Sequence, residues 1–179
     1  MIILLFLSPE NDKNMEDKLP NRQSHRLKNY DYGQRGLYFL TMCCQNREHL
    51  FGYIEDKKMF LNDAGLMIER WYNEIPNKFE NIRCLDYVVM PNHFHCLLHI
   101  TKSGENLIGD VVRWFKTMTT NEYIRGVKEH CWQRFDKRLW QRDYFDNIVK
   151  NEAMYINITE YIKNNPSKWK EDCFKNKTL

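Results

Sequence analysis

The chain has six cysteines but no C-x-x-C pair. That absence argues against a cysteine zinc knuckle. Cys43, Cys44, Cys84 and Cys96 fall in strand-like apolar runs, where a free thiol packs as a small hydrophobe. A reduced, cytoplasmic protein is therefore expected rather than a disulfide scaffold. The apolar start, MIILLFLSPEND, is far too short to cross a bilayer, and no membrane association is expected. It also lacks the basic first region and small-residue cleavage site of a signal peptide. Residues 1–20 show no periodicity and read as a lead-in, with Met15 a candidate start and 21–179 a single domain. Repeats, low-complexity blocks and dividing linkers are missing. Neither sign of charge dominates: a net charge of +3 permits a nucleic-acid partner without demanding one.

What is present suffices for one domain with a real core, since 42% of the 179 residues are hydrophobic. GLYFLTMCC, from Gly36 to Cys44, reads as a first strand. From Lys57 onward, Met59, Phe60, Ala64, Met67, Ile68 and Trp71 recur at helical spacing, and Pro76 closes that helix. RCLDYVVM and HFHCLLHI read as two strands joined by the turn pair Pro91 and Asn92. A second helix carries Leu107, Ile108, Val111, Val112, Phe115 and Met118 on one side. RLWQRDYFDNIV reads as a fourth strand, and NEAMYINITEYIKNNPSKWKED begins as a helix whose far end Pro166 interrupts. The βαββαβ order predicts an α+β, ferredoxin-like antiparallel sheet with two helices on one face. The carboxy-terminal helix is left over and must pack elsewhere, the opposite face being the available place.

Two stretches carry candidate chemistry. In VVMPNHFHCLLHI, strand alternation points Phe94, Cys96, Leu98 and Ile100 one way and His93, His95, Leu97 and His99 the other. Two imidazoles at i and i+2 can share one metal ion; they can equally be polar residues on a half-buried face. In EYIKNNP, Tyr161 and Asn165 lie four apart and share a helix face. A tyrosine hydroxyl can act as a nucleophile and an amide oxygen can bind a hard cation, but Tyr is also a common core residue and Asn-Pro a helix stop.

Taken in order, MPNHFHCLLHI, LWQRDYFDNIVKNE and YIKNNP resemble the single-tyrosine HUH transposases, the enzymes of single-strand insertion elements. The Asn-Pro ending and WQRDYFDNIV are most similar to their REP-associated branch. YDYGQRGLYFLTMCCQNREHLFG and IGDVVRWFKTMTT extend the likeness to roughly Arg22–Trp169. The resemblance implies cutting and rejoining of single-stranded DNA, with Tyr161 as nucleophile on the carboxy-terminal helix. It implies a divalent ion, Mg²⁺ or Mn²⁺, held by His93, His95 and Asn165. The amide is asparagine where insertion-element enzymes carry glutamine, which shortens the arm. The resemblance also implies a 5′-phosphotyrosine intermediate, a DNA hairpin beside the cleavage site, and either a monomer or a homodimer.

Candidate DNA contacts are basic residues: Arg22, Arg26, Lys28 and Arg35 in an amino-terminal arm, Arg113 and Lys116 on the second helix, Arg138 and Arg142 near Trp132 and Trp140. Charge interleaved with aromatics suits single strands, which offer phosphates and unstacked bases. The same residues can be solvated surface and core tryptophans. One rival reading is a DNA-binding relative with idle catalysis. Another is a metal hydrolase built on H-x-H, but H-E-x-x-H and zinc-deaminase signatures are absent and a barrel hydrolase needs a longer chain.

Overall fold

Strand alternation and turn chemistry divide the chain. The computed structural model describes residues 33–104, 107–172 and 174. The expected lead-in and the arm residues Arg22, Arg26 and Lys28 lie outside that range. The strands are β1 (Gly36–Cys43), β2 (Gly52–Glu55), β3 (Lys58–Leu61), β4 (Ile82–Met90), β5 (His93–Ile100) and β6 (Phe145–Val149). The helices are α1 (Asp63–Asn73), α2 (Ile75–Lys78), α3 (Leu107–Glu129) and α4 (Glu152–Asn164). A four-stranded antiparallel sheet runs in the order β4-β5-β1-β6, and β2 with β3 forms a separate two-stranded ribbon. Without the ribbon, the order along the chain is the expected βαββαβ.

The two sheet faces bury different things. Tyr38, Leu40, Phe94, Cys96, Leu98 and Ile100 pack with Met67 and Ile68 of α1 and Val111 and Phe115 of α3. Across the sheet, Leu97 packs against Ile158 and Ile162 of α4, with Phe39 and Val88 beside them. Residues 158, 161, 162 and 165 form one helical stripe. Burying the two isoleucines, at about 1.5–3 kcal/mol each, therefore turns Tyr161 and Asn165 toward the sheet as well. The leftover helix covers the face opposite α1 and α3, as its position in the sequence required.

Three boundaries differ from expectation. Met59 and Phe60 belong to β3, not to the first helix. Asp56 and Lys57 have positive φ (46° and 64°), closing the tight turn between β2 and β3. Gly52, at φ 135°, starts β2 where a Cβ would meet the Phe60 carbonyl at 2.1 Å. Asn62 then caps α1 by accepting from Gly65 N at 2.9 Å. Local turn and cap chemistry thus overrides the helical spacing of the first two apolar residues. Pro76 does not end the helical region. The chain breaks at Glu74, and Pro76 sits in the first turn of α2, where its missing N–H costs nothing. The fourth strand shrinks to Phe145–Val149 because Trp140 is buried, with Nε1 donating to Thr119 Oγ1 at 2.9 Å. Residues 141–143 are then held by Lys116.

Candidate active site

Strand register brings the parts together. β1 pairs with β5 so that Thr41 lies opposite His95 and Cys43 opposite His93. Thr41 Oγ1 and His95 Nδ1 are 2.7 Å apart. Both imidazoles are buried, and their ring centroids stand 4.6 Å apart. Burial drops the pKa of His95 to about 3. His93 is also pushed well below the usual histidine range, by burial first and then by the charges of His95, Arg47 and His49. Both rings are therefore neutral at physiological pH, the form in which imidazole binds metals.

Asn92 fixes which nitrogen of His93 is free. Its amide nitrogen donates to the Arg47 and Phe174 carbonyls, at 3.1 and 3.0 Å. Its oxygen can then only accept, so His93 Nδ1 carries the proton across 2.8 Å. Nε2 of His93 is left as a lone pair with no hydrogen-bond partner. A second-shell amide that sets a histidine tautomer is a common support for a metal ligand.

α4 delivers the nucleophile candidate. The Tyr161 hydroxyl lies 3.2 Å from His95 Nε2 within the same chain. Phe39 supports both groups, stacking on His95 at 5.4 Å and meeting Tyr161 edge-on at 6.0 Å. Asn165, one turn beyond Tyr161, is buried, and its Oδ1 has no hydrogen-bond partner. From Pro166 the chain enters a 3₁₀ turn, and Trp169 of that turn lies over His93 at 6.1 Å. The Asp172 carboxylate follows, with Oδ2 3.6 Å from His93 Nε2. Burial raises its pKa, against the lowering pull of the Phe174 N–H and Arg47. Phe174 packs near both histidines, at 5.0 and 5.7 Å.

Three buried atoms here are of the donor types that a divalent ion accepts. His93 Nε2, Asn165 Oδ1 and Asp172 Oδ2 are buried polar atoms without hydrogen-bond partners, a condition that is costly unless something else satisfies them. Nitrogen and oxygen donors suit Mn²⁺, and the oxygens suit Mg²⁺. Among the described residues, no group of three or more His, Cys, Asp or Glu side chains is placed to hold a metal ion. The set therefore depends on the Asn165 amide or on substrate oxygens.

The basic residues stand apart. Arg35 is exposed, with its backbone N–H on Ser103 Oγ at 3.0 Å. Arg113 is exposed and pairs with Asp110 at 2.6 Å. Arg138 and Arg142 are exposed. Lys116 makes its contacts within the fold. Its ammonium donates to the carbonyls of Gln141, Arg142 and Asp143 at 2.8, 3.3 and 3.0 Å, and burial lowers its pKa to about 8. With its donors taken, it ties α3 to the segment before β6. Trp140 is buried and packs on Phe51 and Phe115, and half-buried Trp132 packs on Tyr123. His99 is half-buried at the far end of β5, four residues from His95.

Sequence reasoning missed Thr41, Asn92 and Asp172. Asn92 was legible only as a turn residue, and Thr41 only through strand register. Asp172 lies beyond the helix stop, where no periodicity assigns a face.

The family model described as "Transposase IS200 like" matches residues 34–165, which span every residue of the histidine–tyrosine–asparagine set. The chain belongs to the IS200-like transposase family. A Haemophilus influenzae protein described as uncharacterized is 35% identical to this IS200-like chain over 175 residues, covering 85% of it and 92% of the relative. A second protein of that organism, named "Putative REP-associated tyrosine transposase", is 24% identical over 147 residues, covering 79% and 77%. A solved REP-associated tyrosine transposase bound to a REP hairpin shares the fold. Its TM-score is 0.60 at 18% identity, over 82% of this chain and 74% of that one. The ferredoxin-like α+β assignment thus holds both in the strand order and in this likeness. Among the described residues, no helix is long and apolar enough to cross a membrane.

Proposed function

We propose that this IS200-like protein cleaves and rejoins single-stranded DNA, with Tyr161 as the nucleophile. The observation that carries the reading is the Tyr161 hydroxyl 3.2 Å from His95 Nε2, beside a second neutral histidine whose tautomer is fixed. A half-buried tyrosine kept only for packing would not need its hydroxyl on His95. His93, His95 and Asn165 would hold Mg²⁺ or Mn²⁺. When bound, the ion supplies Lewis-acid polarisation of the scissile phosphate and orients it.

The chain's own residues do the rest. Phe39 and the α4 stripe hold the phenol in place, a positioning effect that lowers the entropic barrier to attack. A bond forms from the phenolic oxygen to phosphorus as the bond from phosphorus to the 3′ oxygen breaks. The phenol gives up its proton and the leaving 3′ oxygen takes one up from solvent, so that a 3′-hydroxyl and a 5′-phosphotyrosine remain with no net change in protons. One phosphodiester replaces another, so a second 3′-hydroxyl can reverse the step without ATP. In the tautomer that donates Nδ1–H of His95 to Thr41 Oγ1, Nε2 accepts a hydrogen bond from the Tyr161 hydroxyl, which keeps the phenol aimed. Arg35, Arg113, Arg138 and Arg142, with Arg22, Arg26 and Lys28, are proposed to meet the phosphates of the strand. A DNA hairpin, of the kind bound by the structural relative, is proposed as the feature recognised.

The test is a cleavage assay on 5′- and 3′-labelled single strands carrying the hairpins that flank the gene, with Mg²⁺ or Mn²⁺. A covalent protein–DNA band that requires metal and vanishes in Tyr161→Phe is expected. Binding without that band would indicate an idle DNA-binding relative. Cleavage surviving in Tyr161→Phe would mean a different nucleophile.

A further inference from the structure

The loop after β1 meets the histidine pair in an unusual way. Gln45–Arg47 is a 3₁₀ turn in which Asn46 and Arg47 both adopt positive φ, 55° and 54°. Two adjacent non-glycine residues in that region are strained, and such strain persists only where surrounding contacts enforce it. The enforcement is visible. The Arg47 carbonyl accepts from the same Asn92 amide that fixes His93, and Cys44 N donates to the Asn92 carbonyl at 2.8 Å. The Arg47 guanidinium then lies 5.7 Å over the ring of Phe174, which itself packs 5.0 Å from His93. One buried asparagine thus holds an arginine and a candidate metal ligand in fixed relation.

The geometry points to Arg47 as a phosphate-binding residue of the site, contacting the scissile phosphate or its immediate neighbour in a bound single strand. This assignment rests on the function proposed above. Guanidinium suits the task because its planar fork matches two phosphate oxygens, and it stays charged at any working pH.

The experiment compares wild type, Arg47→Met and Arg47→Lys on the flanking-hairpin single strand, by fluorescence anisotropy across a salt series and by adduct formation. Arg47→Met keeps the aliphatic stem against Phe174, and circular dichroism checks that it folds. We expect it to weaken binding about tenfold and to reduce the salt slope by about one, with Arg47→Lys intermediate. Neutral methylphosphonates placed one at a time around the cleavage site should then find one position where wild type and Arg47→Met bind alike. A merely structural arginine would not single out one phosphate. If wild type binds and cleaves but Arg47→Met matches it in affinity, slope and methylphosphonate pattern, the assignment is overturned alone. If wild type neither binds nor cleaves any flanking strand, the function proposed above fails and the phosphate contact falls with it.

Discussion

A histidine buried in its neutral form is a liability in acid, and this site has two. The unfolded chain takes up a proton on each imidazole near pH 6.5, whereas folded His95 refuses one until about pH 3. The unfolded state binds more protons throughout that window, so stability falls as pH falls through it. Between pH 6.5 and 5, His95 alone should cost about 2 kcal/mol, and His93 acts in the same direction. Urea unfolding of metal-free protein at pH 7.5 and 5.0 measures this. His95→Gln should show a shallower loss than wild type, and an equal loss in both would refute the assignment of the proton uptake to that ring. At this scale the histidines and the tyrosine were legible in the sequence, because H-x-H and a four-residue spacing survive without coordinates. Asn92 was not: its function lies in contacts to Arg47, His93 and Phe174, at separations of 45, 1 and 82 residues.

Elements were legible where a single period governs a long stretch. β5 was expected over His93–Ile100 and spans those residues; α4 starts where Asn151 caps it, accepting from Met154 N at 2.8 Å. The ribbon of β2 and β3 was hidden because Met59 and Phe60 continue the spacing of α1, and only the positive-φ turn at Asp56 and Lys57 separates them. The segment before β6 was hidden for another reason, since its carbonyls bond to a side chain and not to a neighbouring strand. That makes Lys116 a structural residue. Lys116→Met should lower stability by about 1–3 kcal/mol by leaving the Gln141, Arg142 and Asp143 carbonyls without their donor. DNA affinity measured well below the melting temperature should change little. Full stability with a large loss of affinity would restore Lys116 to the DNA interface.

Across the whole molecule, the sheet separates two jobs. α1 and α3 close one face as core, while α4 and the turn after it close the other as site. Tyr161 reaches His95 within one chain, so a complete site can form in a single subunit acting in cis. Mixing His95→Ala with Tyr161→Phe should then leave nicking dead. Restored nicking would require a tyrosine helix shared between subunits, and with it a dimer.

By itself the sequence determined the α+β pattern, the two faces of β5 and the residues able to carry chemistry, because alternation and helical spacing are properties of the local chain. The tertiary structure alone decided that Thr41 stands opposite His95, that Asn92 sets the tautomer of His93 and that Asp172 lies beside His93. It also decided that Lys116 is a tie between elements. Each of those facts depends on register and packing between segments distant along the chain, and no local period encodes such a distance.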